Sequence, residues 1–495
     1  MNLPTRKIAT YAGAVLLAIA SQQSSAQHEL SSFTSTGRGV ASPFVTDYHA
    51  LGINASNLDW TPEYEDKMVT FGFAEIAGSV YSEALIKDDL RKNLFGGDFE
   101  NLTQAQKIDM IKNFTDAGTS IDLNYMWAGA HVQTGSFGGF AYTTRDNFSF
   151  RSQLSEEVAT LLYLGGTAPY FDQLILNNGD TIPNMEGISQ DTLDMVAEGI
   201  TSLANAKSFS EILGNSEVSL TWIREYSIGY GKRVLKNDAF ELYAGAGFKY
   251  LVGQGMVQLG TNADGQIESF SALSPVFNID YGSGAETNPS QLPESARNMT
   301  PVGQGFGFDV GASMVIKEKL FVALSLTDIG RMTWDGNVYK LNDFDVTSLT
   351  NNGLETNSIL DQLETLTDPD GLLQWEGSTK VTTKLPSKLR AGARFDIGDK
   401  LRIGAEGVFA TNDELSQLDK PLLAFGGDVT PFPWIRLSVG LINGGNYDFK
   451  VPAGLTLIVG GGTWEVGVAS RDMITFFTEN QPTISASFGF LRFRV

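Results

Sequence analysis

Residues 67–495 alternate very short polar turns with long polar inserts, and segments of alternating apolar and polar residues lie between them. Six short turns are expected near residues 133–135, 234–238, 317–319, 398–400, 431–434 and 460–463. Seven longer inserts are expected near residues 83–117, 151–215, 254–302, 333–386, 411–420, 443–448 and 471–481. These connections separate about fourteen strands, within a range of about twelve to sixteen, and the asymmetry is typical of an outer-membrane barrel with tight periplasmic turns. The sequence therefore predicts an all-β, transmembrane antiparallel β-barrel over residues 67–495.

The segment at residues 389–397 shows how one predicted strand divides its two faces. Leu389, Phe395 and Ile397 fall on one face, whereas Arg390 and Arg394 fall on the other. Because successive side chains of a strand point to opposite faces, one face can meet lipid and the other a polar interior. A soluble β-sandwich alternates in the same way, so the alternation alone does not distinguish the two folds. The loop asymmetry, the charged inner faces and a predicted signal peptide at residues 1–26 favour the barrel.

The last predicted strand changes its apolar face midway. Ile484, Phe488 and Phe490 share one face, but Leu491 and Phe493 continue on the opposite face. The change predicts either a bulge, which moves side chains from one face to the other, or a segment that crosses from lipid contact to protein contact.

The first residues predict export. Arg6 and Lys7 precede the apolar run at residues 12–20, and Ser24 and Ala26 occupy the two small-residue positions before a signal-peptidase cut. An uncleaved membrane anchor is the alternative, but the run is short for a membrane span and has polar flanks. We therefore predict that residues 1–26 are a cleaved signal peptide and that the protein reaches the outer membrane of a Gram-negative bacterium.

Charge and composition exclude several classes of protein. Removal of Arg6 and Lys7 leaves 33 basic residues against 57 acidic ones, a net charge of −24. Nucleic acid is excluded as a partner, because its phosphates require basic patches. The chain has no cysteine, and its three histidines, at positions 28, 49 and 131, are not spaced as metal ligands. We therefore expect no metal, no cofactor and no enzyme activity.

The long inserts contain two segments with helical spacing. A capping-box pattern at residues 103–106 precedes apolar residues at helical intervals, and Leu193, Val196, Ile200 and Leu203 form a second apolar stripe. Such helices either pack on their own loop or form an apolar vestibule for a ligand. Both interpretations remain open at this point.

Four arginines are predicted to share the lumen in the C-terminal strands. If the alternation holds, Arg390, Arg394, Arg402 and Arg436 all point inward, and Glu241, Asp309, Glu406 and Glu465 point inward from other strands. One interpretation is an interior stiffened by salt bridges. The other is that the arginines bind the carboxylate of an amphipathic ligand, since a guanidinium matches a carboxylate in geometry.

The segment before the first strand, residues 27–66, contains Gly37-Arg38-Gly39 and, further on, Asn54-Ala55-Ser56-Asn57. It resembles the N-terminal hatch of FadL-type transporters for long-chain fatty acids and other hydrophobic compounds, which precedes a fourteen-stranded barrel. The closing residues 487–494 resemble a family of outer-membrane barrels of unknown function from Bacteroidota. The resemblance implies a plug made by residues 27–66. Ala55 departs from the FadL pattern, which has proline there, so the tight turn that proline would fix is not assured.

Two functions follow from the barrel and its resemblance. The first is a passive channel for hydrophobic or amphipathic small molecules such as fatty acids, with residues 27–66 as a hatch. The second is a barrel that transports nothing and acts as a scaffold or partner in surface secretion or envelope assembly. The expected partners are outer-membrane lipid, a lipophilic small molecule and other envelope proteins.

Overall fold

The computed structural model describes residues 32–60, 66–82, 108, 118–262, 264–279, 281, 283–293, 295–350, 375–412, 414, 418, 420–445, 447–473 and 483–495. The predicted signal peptide lies outside these residues. The helix predicted after the capping-box pattern at residues 103–106 also lies outside them, except for Ile108, which is helical.

Fourteen antiparallel strands form a closed barrel, as predicted. In chain order they are β1 (Val69–Ser82), β2 (Thr119–Gln133), β3 (Gly139–Gln153), β4 (Glu217–Lys236), β5 (Phe240–Leu259), β6 (Gly303–Ile316), β7 (Leu320–Trp334), β8 (Lys388–Ile397), β9 (Leu401–Ala410), β10 (Leu422–Phe432), β11 (Ile435–Gly444), β12 (Ala453–Val459), β13 (Trp464–Ser470) and β14 (Thr483–Arg494). Each strand pairs with the next, and β14 pairs with β1 from Thr70 opposite Arg494 to Tyr81 opposite Thr483. Closure leaves no exposed sheet edge, which is the condition for a sheet to cross a lipid bilayer.

The six tight turns lie where the sequence predicts them, all at one end of the barrel. The insert at 254–302 contributes a further hairpin, because Phe270–Leu273 pairs with the upper end of β5. Further short strands extend the wall above β7, β8 and β11; they are Val338–Leu341, Trp375–Gly377, Val381–Lys384 and Tyr447–Lys450. The wall is therefore taller on the side of the long inserts.

The outward face of the barrel is an apolar belt. On β4, β5 and β6 the exposed side chains include Ile228, Phe248, Tyr250, Phe308 and Val310. The belt ends, toward the long inserts, at an outward-facing ion pair in which Arg224 binds Asp146 at 2.8 Å. An apolar band of this kind is what surrounding lipid covers, so the barrel spans a membrane.

The bulge predicted in the last strand is confirmed. Phe490 and Leu491 are both exposed, and the register between β13 and β14 shifts between Glu465 and Gly467. The neighbouring strand β1 changes face at the same level, where Ala74 has a φ of +53°. On both strands that close the barrel, β1 and β14, the inward-facing positions therefore shift by one residue at the same level.

The inserts after β3 and β7 build an outer lobe, defined by residues 154–216 and 338–350. Its four-stranded sheet has the order Ser348–Leu349, Val196–Ile200, Gln173–Leu176 and Thr181–Pro183. The helix predicted across Leu193 to Leu203 is therefore wrong: the helix ends at Leu193, and Val196 begins a strand paired with Gln173–Leu176. The lobe's core packs on the outward side of the wall, against Phe150 and Leu220.

Helices are few and short in the described residues. They are Phe33–Thr36, Asp47–Ala50, Ala55–Asp59, Gly135–Phe137, Glu156–Leu164, Gly165–Thr167, Gln190–Leu193, Phe209–Leu213, Pro275–Phe277 and Ser283–Glu286. Among the described residues, none of the helices has the length and apolar character needed to cross a membrane.

Residues 32–60 lie inside the barrel and are called the plug. Its three short helices contact β2, β4, β5, β6 and β13. Nearly every plug residue is buried, and Val40, Tyr48, Ala50 and Leu58 are inaccessible to solvent. The plug therefore fills the cross-section of the barrel and divides an upper lumen, on the side of the long inserts, from the side of the tight turns.

Candidate functional site

A ring of glycines on the inner wall seats the plug. Thirteen of the fourteen strands contribute a glycine at which an added Cβ would press on plug atoms; these are Gly72, Gly129, Gly139, Gly229, Gly245, Gly311, Gly392, Gly404, Gly426, Gly440, Gly454, Gly467 and Gly489. In β7 the plug is held instead by Ser325, whose hydroxyl donates to the carbonyl of Ile53 at 2.6 Å. The high glycine content of the chain thus gives the plug backbone a close approach to the wall.

The first predicted hatch motif binds the wall directly. Gly37 lies against Gly454, and Gly39 has a φ of +71°, a conformation that favours glycine. Arg38 between them donates from Nη1 to Asp428 at 2.7 Å and from Nε to the carbonyl of Val40 at 3.0 Å. Burial lowers the pKa of Arg38, and Asp428 opposes that effect by favouring the charged guanidinium.

The second hatch motif forms a tight turn without proline. Asn54 caps the short helix Ala55–Asp59 through a bond from the Ser56 N–H, and its amide donates to Ser313 at 3.1 Å. Ala55 lies where its carbonyl approaches Gly245. Asn57 donates to the carbonyls of Ser42 and Val45 at 2.7 and 2.8 Å. The cap and these bonds fix the turn that proline would otherwise preset.

Charged side chains pack the plug against the polar side of the wall. Asp47 binds Arg492, which also binds Glu465, and Arg494 donates to Glu465 at 3.1 Å. Burial raises the pKa of the Asp47 carboxyl, but Arg492, His49 and Arg494 outweigh it, so the pKa lies well below its ordinary value. Asp47 is therefore a carboxylate.

Three of the four predicted lumen arginines lie around the plug. Arg394 binds Asp396 at 2.9 Å, donates to the carbonyl of Pro43 at 3.2 Å and stacks on Phe321. Arg436 is buried 3.8 Å from Glu465. Arg402 lies opposite Asp428 in the β9–β10 register. The structure thus places Arg394 and Arg436 in the network that holds the plug, and Arg402 on the strand beside Asp428.

Arg390 differs from these three because it also lines a cavity of about 1020 Å³ in the upper lumen, a volume that includes the open mouth of the cavity. The cavity lies above Gly52 of the plug and is bounded by β3–β5, β7, β8 and the short strand Val381–Lys384. Six large apolar side chains line it: Ile223, Leu251, Met256, Met332, Trp334 and Leu385. Trp334 is held by a bond from its indole N–H to Thr383 at 3.1 Å.

Polar groups converge on the floor of the same cavity. Lys249 binds Asp328 at 2.5 Å and Asp309 at 3.2 Å, and Arg390 lies 3.8 Å from Glu406. Lys388, which is buried, also lines the cavity. The floor therefore offers cationic donors beside an apolar wall, an arrangement that fits an amphipathic molecule with an acidic group.

Sequence reasoning missed most of these cavity residues. Lys249 follows Glu241 at an even spacing and so shares its predicted inward face on β5, but Lys388, Trp334 and Met332 carried no signal that distinguished them from other strand residues. Among the described residues, no group of three His, Asp or Glu side chains is arranged to hold a metal ion.

These features define a membrane-spanning β-barrel of the outer-membrane type, closed by an internal plug beneath an amphipathic cavity. The chain belongs to a family of unknown function, DUF5723, whose model matches residues 178–461, more than half of the chain. This confirms the expectation of a barrel family of unknown function. The Bacteroidota origin stays a prediction.

No curated protein matches the chain in sequence. Similar solved structures include the Pseudomonas putida toluene transporter TodX, at a TM-score of 0.43 and 9% identity, with 96% of this chain and 99% of TodX covered. A TodX deltaS2S3 mutant, described as a monoaromatic hydrocarbon channel, gives a TM-score of 0.47 at 8% identity and coverages of 94% and 98%. A Pseudomonas aeruginosa FadL homologue gives a TM-score of 0.38 at 12% identity, with 94% of this chain and 99% of the homologue covered.

Proposed function

We propose that the protein is a passive outer-membrane channel that admits hydrophobic or amphipathic small molecules, such as fatty acids, from outside the cell. The observation that carries this proposal is the cavity above the plug. Its apolar wall suits a hydrocarbon chain, and Lys388 and Arg390 supply cations at its floor. A transport site of this kind needs no catalytic group.

Binding of a fluorescent fatty acid to the detergent-purified protein tests the proposal. Arg390→Ala should weaken binding about tenfold or more, because a hydrogen bond to a charged group contributes about 1.5–3 kcal/mol. Arg224→Ala is the matched control, since Arg224 also forms an ion pair but lies on the outward side of the wall. Equal affinities in both variants, or no saturable binding to the wild type, would overturn the proposal.

A second candidate function is supported by the outer lobe. Its helix Glu156–Leu164 and its four-stranded sheet enclose a hydrophobic core that barrel closure does not need. A scaffold or partner in surface secretion or envelope assembly would use such a lobe as a binding surface. Crosslinking in native membranes distinguishes the candidates: a protein captured by the wild type and by Arg390→Ala, but lost when residues 168–206 are replaced by a Gly-Ser linker, would favour the scaffold.

We also propose that export removes residues 1–26. N-terminal sequencing of the protein from purified outer membranes should begin at Gln27. A mature chain that retains Met1 would show that the apolar run acts as an anchor.

A further inference from the structure

A row of exposed side chains crosses the outward face of the barrel at one level. Cross-strand pairs join its five members on β4, β5, β6, β7 and the short strand Val381–Lys384; they are Tyr226, Tyr250, Phe306, Arg331 and Lys384. The first three are aromatic, and the last two are cations on neighbouring strands. All five are exposed. We call them the border row.

The border row lies at the upper edge of the apolar belt. Phe306 is ten residues above Ile316, the residue that ends β6 at the tight turns. Ten residues of a strand tilted by about 35–45° rise about 24–28 Å, close to the height of about 25 Å of the apolar band in such barrels. Below the row the outward side chains include Phe308 and Ile329, and above it Gln304 is polar. Lipid headgroups therefore meet the wall at this row.

Arg331 carries a charge for which the described residues provide no counter-charge. Its guanidinium lies 5.7 Å from the centroid of the Phe306 ring, and within the described part of the chain it forms no ion pair. The outward positions around it hold Ile329 and Thr333 on β7 and Gln304 on β6, none of which is acidic. Arg331 can therefore bind an anion that comes from outside the protein.

Arg224 and Lys384 lie at the same border, but each has a carboxylate beside it. Arg224 donates two hydrogen bonds of 2.8 Å to Asp146. Lys384 lies 3.5 Å from Glu414, and its side chain is 74% exposed. Arg331 and Lys384 together thus keep a positive charge beside a single carboxylate, although the chain as a whole has a net charge of −22.

A phosphate group at this level would meet both cations. Arginine presents its donors in a planar fork that matches a phosphate, and lysine adds a compact charge. Acyl chains of the same molecule would lie on the apolar belt below, where Phe306 and Phe308 are exposed. The border row thus places an anion site directly above a hydrocarbon-covered surface, which is the order of the groups in a phosphorylated lipid.

We propose that Arg331 and Lys384 bind the phosphate group of a lipid in the leaflet on the side of the long inserts. In an outer membrane the tight turns face the periplasm, so this leaflet is the outer one. The bound lipid lies on the outward face of β6 and β7, near the mouth of the cavity above the plug, because Lys384 also lines that cavity. The site is outside the lumen, so it does not rest on the function proposed above.

Native mass spectrometry of the full-length protein in detergent tests the site with dioleoyl phosphatidic acid, a lipid that carries a phosphate monoester. Arg331→Ala should weaken binding about tenfold, because hydrogen bonds between charged groups are the strong ones. Arg331→Lys keeps the charge but loses the planar fork, so its affinity should lie between the two. Arg224→Ala is the matched control, since Arg224 lies at the same border but already binds Asp146, and it should leave the affinity unchanged.

Two further probes separate the parts of the ligand. Dioleoylglycerol has the same chains without the phosphate and should bind about tenfold more weakly, because it offers the cations no charged acceptor. Inorganic phosphate has no chains and should not displace the lipid at equal concentration. Displacement by inorganic phosphate, or equal affinities of Arg331→Ala and the wild type, would overturn the proposal. A loss of affinity in Arg390→Ala but not in Arg331→Ala would place the lipid in the cavity and would overturn it as well.

Discussion

The two sides of the lumen differ in how they meet the plug and in what they can hold. On the side of β4–β8, large apolar side chains such as Trp334 and Met332 leave an open cavity above Gly52. On the side of β13, β14, β1 and β2, small polar and charged side chains grip the plug through Asp47 and Arg492. Both sides have the same alternation of inward and outward residues along their strands. The chemistry of the inward side chains therefore distinguishes the side that can bind a ligand from the side that anchors the plug.

The largest expected effect is on the anchoring side. Arg492→Met should lower the free energy of unfolding by about 3–5 kcal/mol, because it leaves Asp47 and Glu465 buried without their main counter-charge. Urea unfolding in detergent, followed by tryptophan fluorescence, measures the change. Arg224→Ala serves as the control. A loss no larger than that of the control would show that the anchoring network contributes little.

Acid should weaken the same anchor in a defined direction. The folded-state pKa of Asp47 is depressed, so its contribution is fully present above the ordinary carboxyl pKa of about 3.9 and is lost as the pH falls through the folded value. The difference in unfolding free energy between wild type and Asp47→Asn should therefore be constant near neutral pH and shrink in strong acid. A difference that grows as the pH falls would contradict this assignment.

On the side of the apolar cavity, truncation of a buried side chain should lower the free energy of unfolding less than Arg492→Met does. It should also change the selectivity for ligands. Met332→Ala should lower the free energy of unfolding by about 2 kcal/mol, the low end for such truncations, because the site already borders open space. The enlarged cavity should bind bulkier fatty-acid analogues relatively better than the wild type does. Displacement assays with straight and branched analogues measure this ratio, and an unchanged ratio would place the ligand elsewhere.

The glycine ring offers a test that applies to both sides. Gly129→Ala adds one methyl group beneath the Tyr48 ring and should cost about 1–3 kcal/mol through overpacking. Gly398→Ala is not a fair control, because Gly398 has a φ of +63°. Gly118→Ala is suitable, since an added Cβ there meets no atom of the described residues. Equal melting temperatures for Gly129→Ala and Gly118→Ala would mean that the plug moves aside for the added methyl group without loss of stability.

The smallest effect is expected outside the lumen. Asp146→Asn removes the partner of Arg224 at the border of the apolar belt and should change stability by less than about 1 kcal/mol, because a partly exposed ion pair contributes little. Unfolding in urea measures the change. A loss as large as that of Arg492→Met would erase the contrast between lumen and surface.

The sequence predicts the barrel well because its signals are local. Each tight turn is a few residues long, and each strand repeats with period two, so strand number, orientation and the bulge at Phe490 all follow from short windows. The helix across Leu193 to Leu203 fails for the same reason. Spacings of three and four residues fit a helix, but Val196–Ile200 finds a strand partner in Gln173–Leu176, which no local window reveals.

The site is harder to predict, because its parts are distant in sequence. Asn147, Lys249, Trp334 and Arg390 line one cavity from four strands. The sequence predicts that Arg390, Arg394, Arg402 and Arg436 point inward, but not that Arg390 alone of these lines the cavity. That division depends on where the plug lies, and the plug's position is set by glycines whose role has no periodic signature.

The glycine ring also has a consequence for assembly. If the barrel closed without its plug, the thirteen glycines of the ring would leave bare backbone around a water-filled gap. Closure joins Thr70 to Arg494, the two ends of the strand sequence, and Arg492 near that seam binds Asp47 of the plug. We therefore expect the plug to occupy the interior before β14 pairs with β1, so that the barrel closes around the plug.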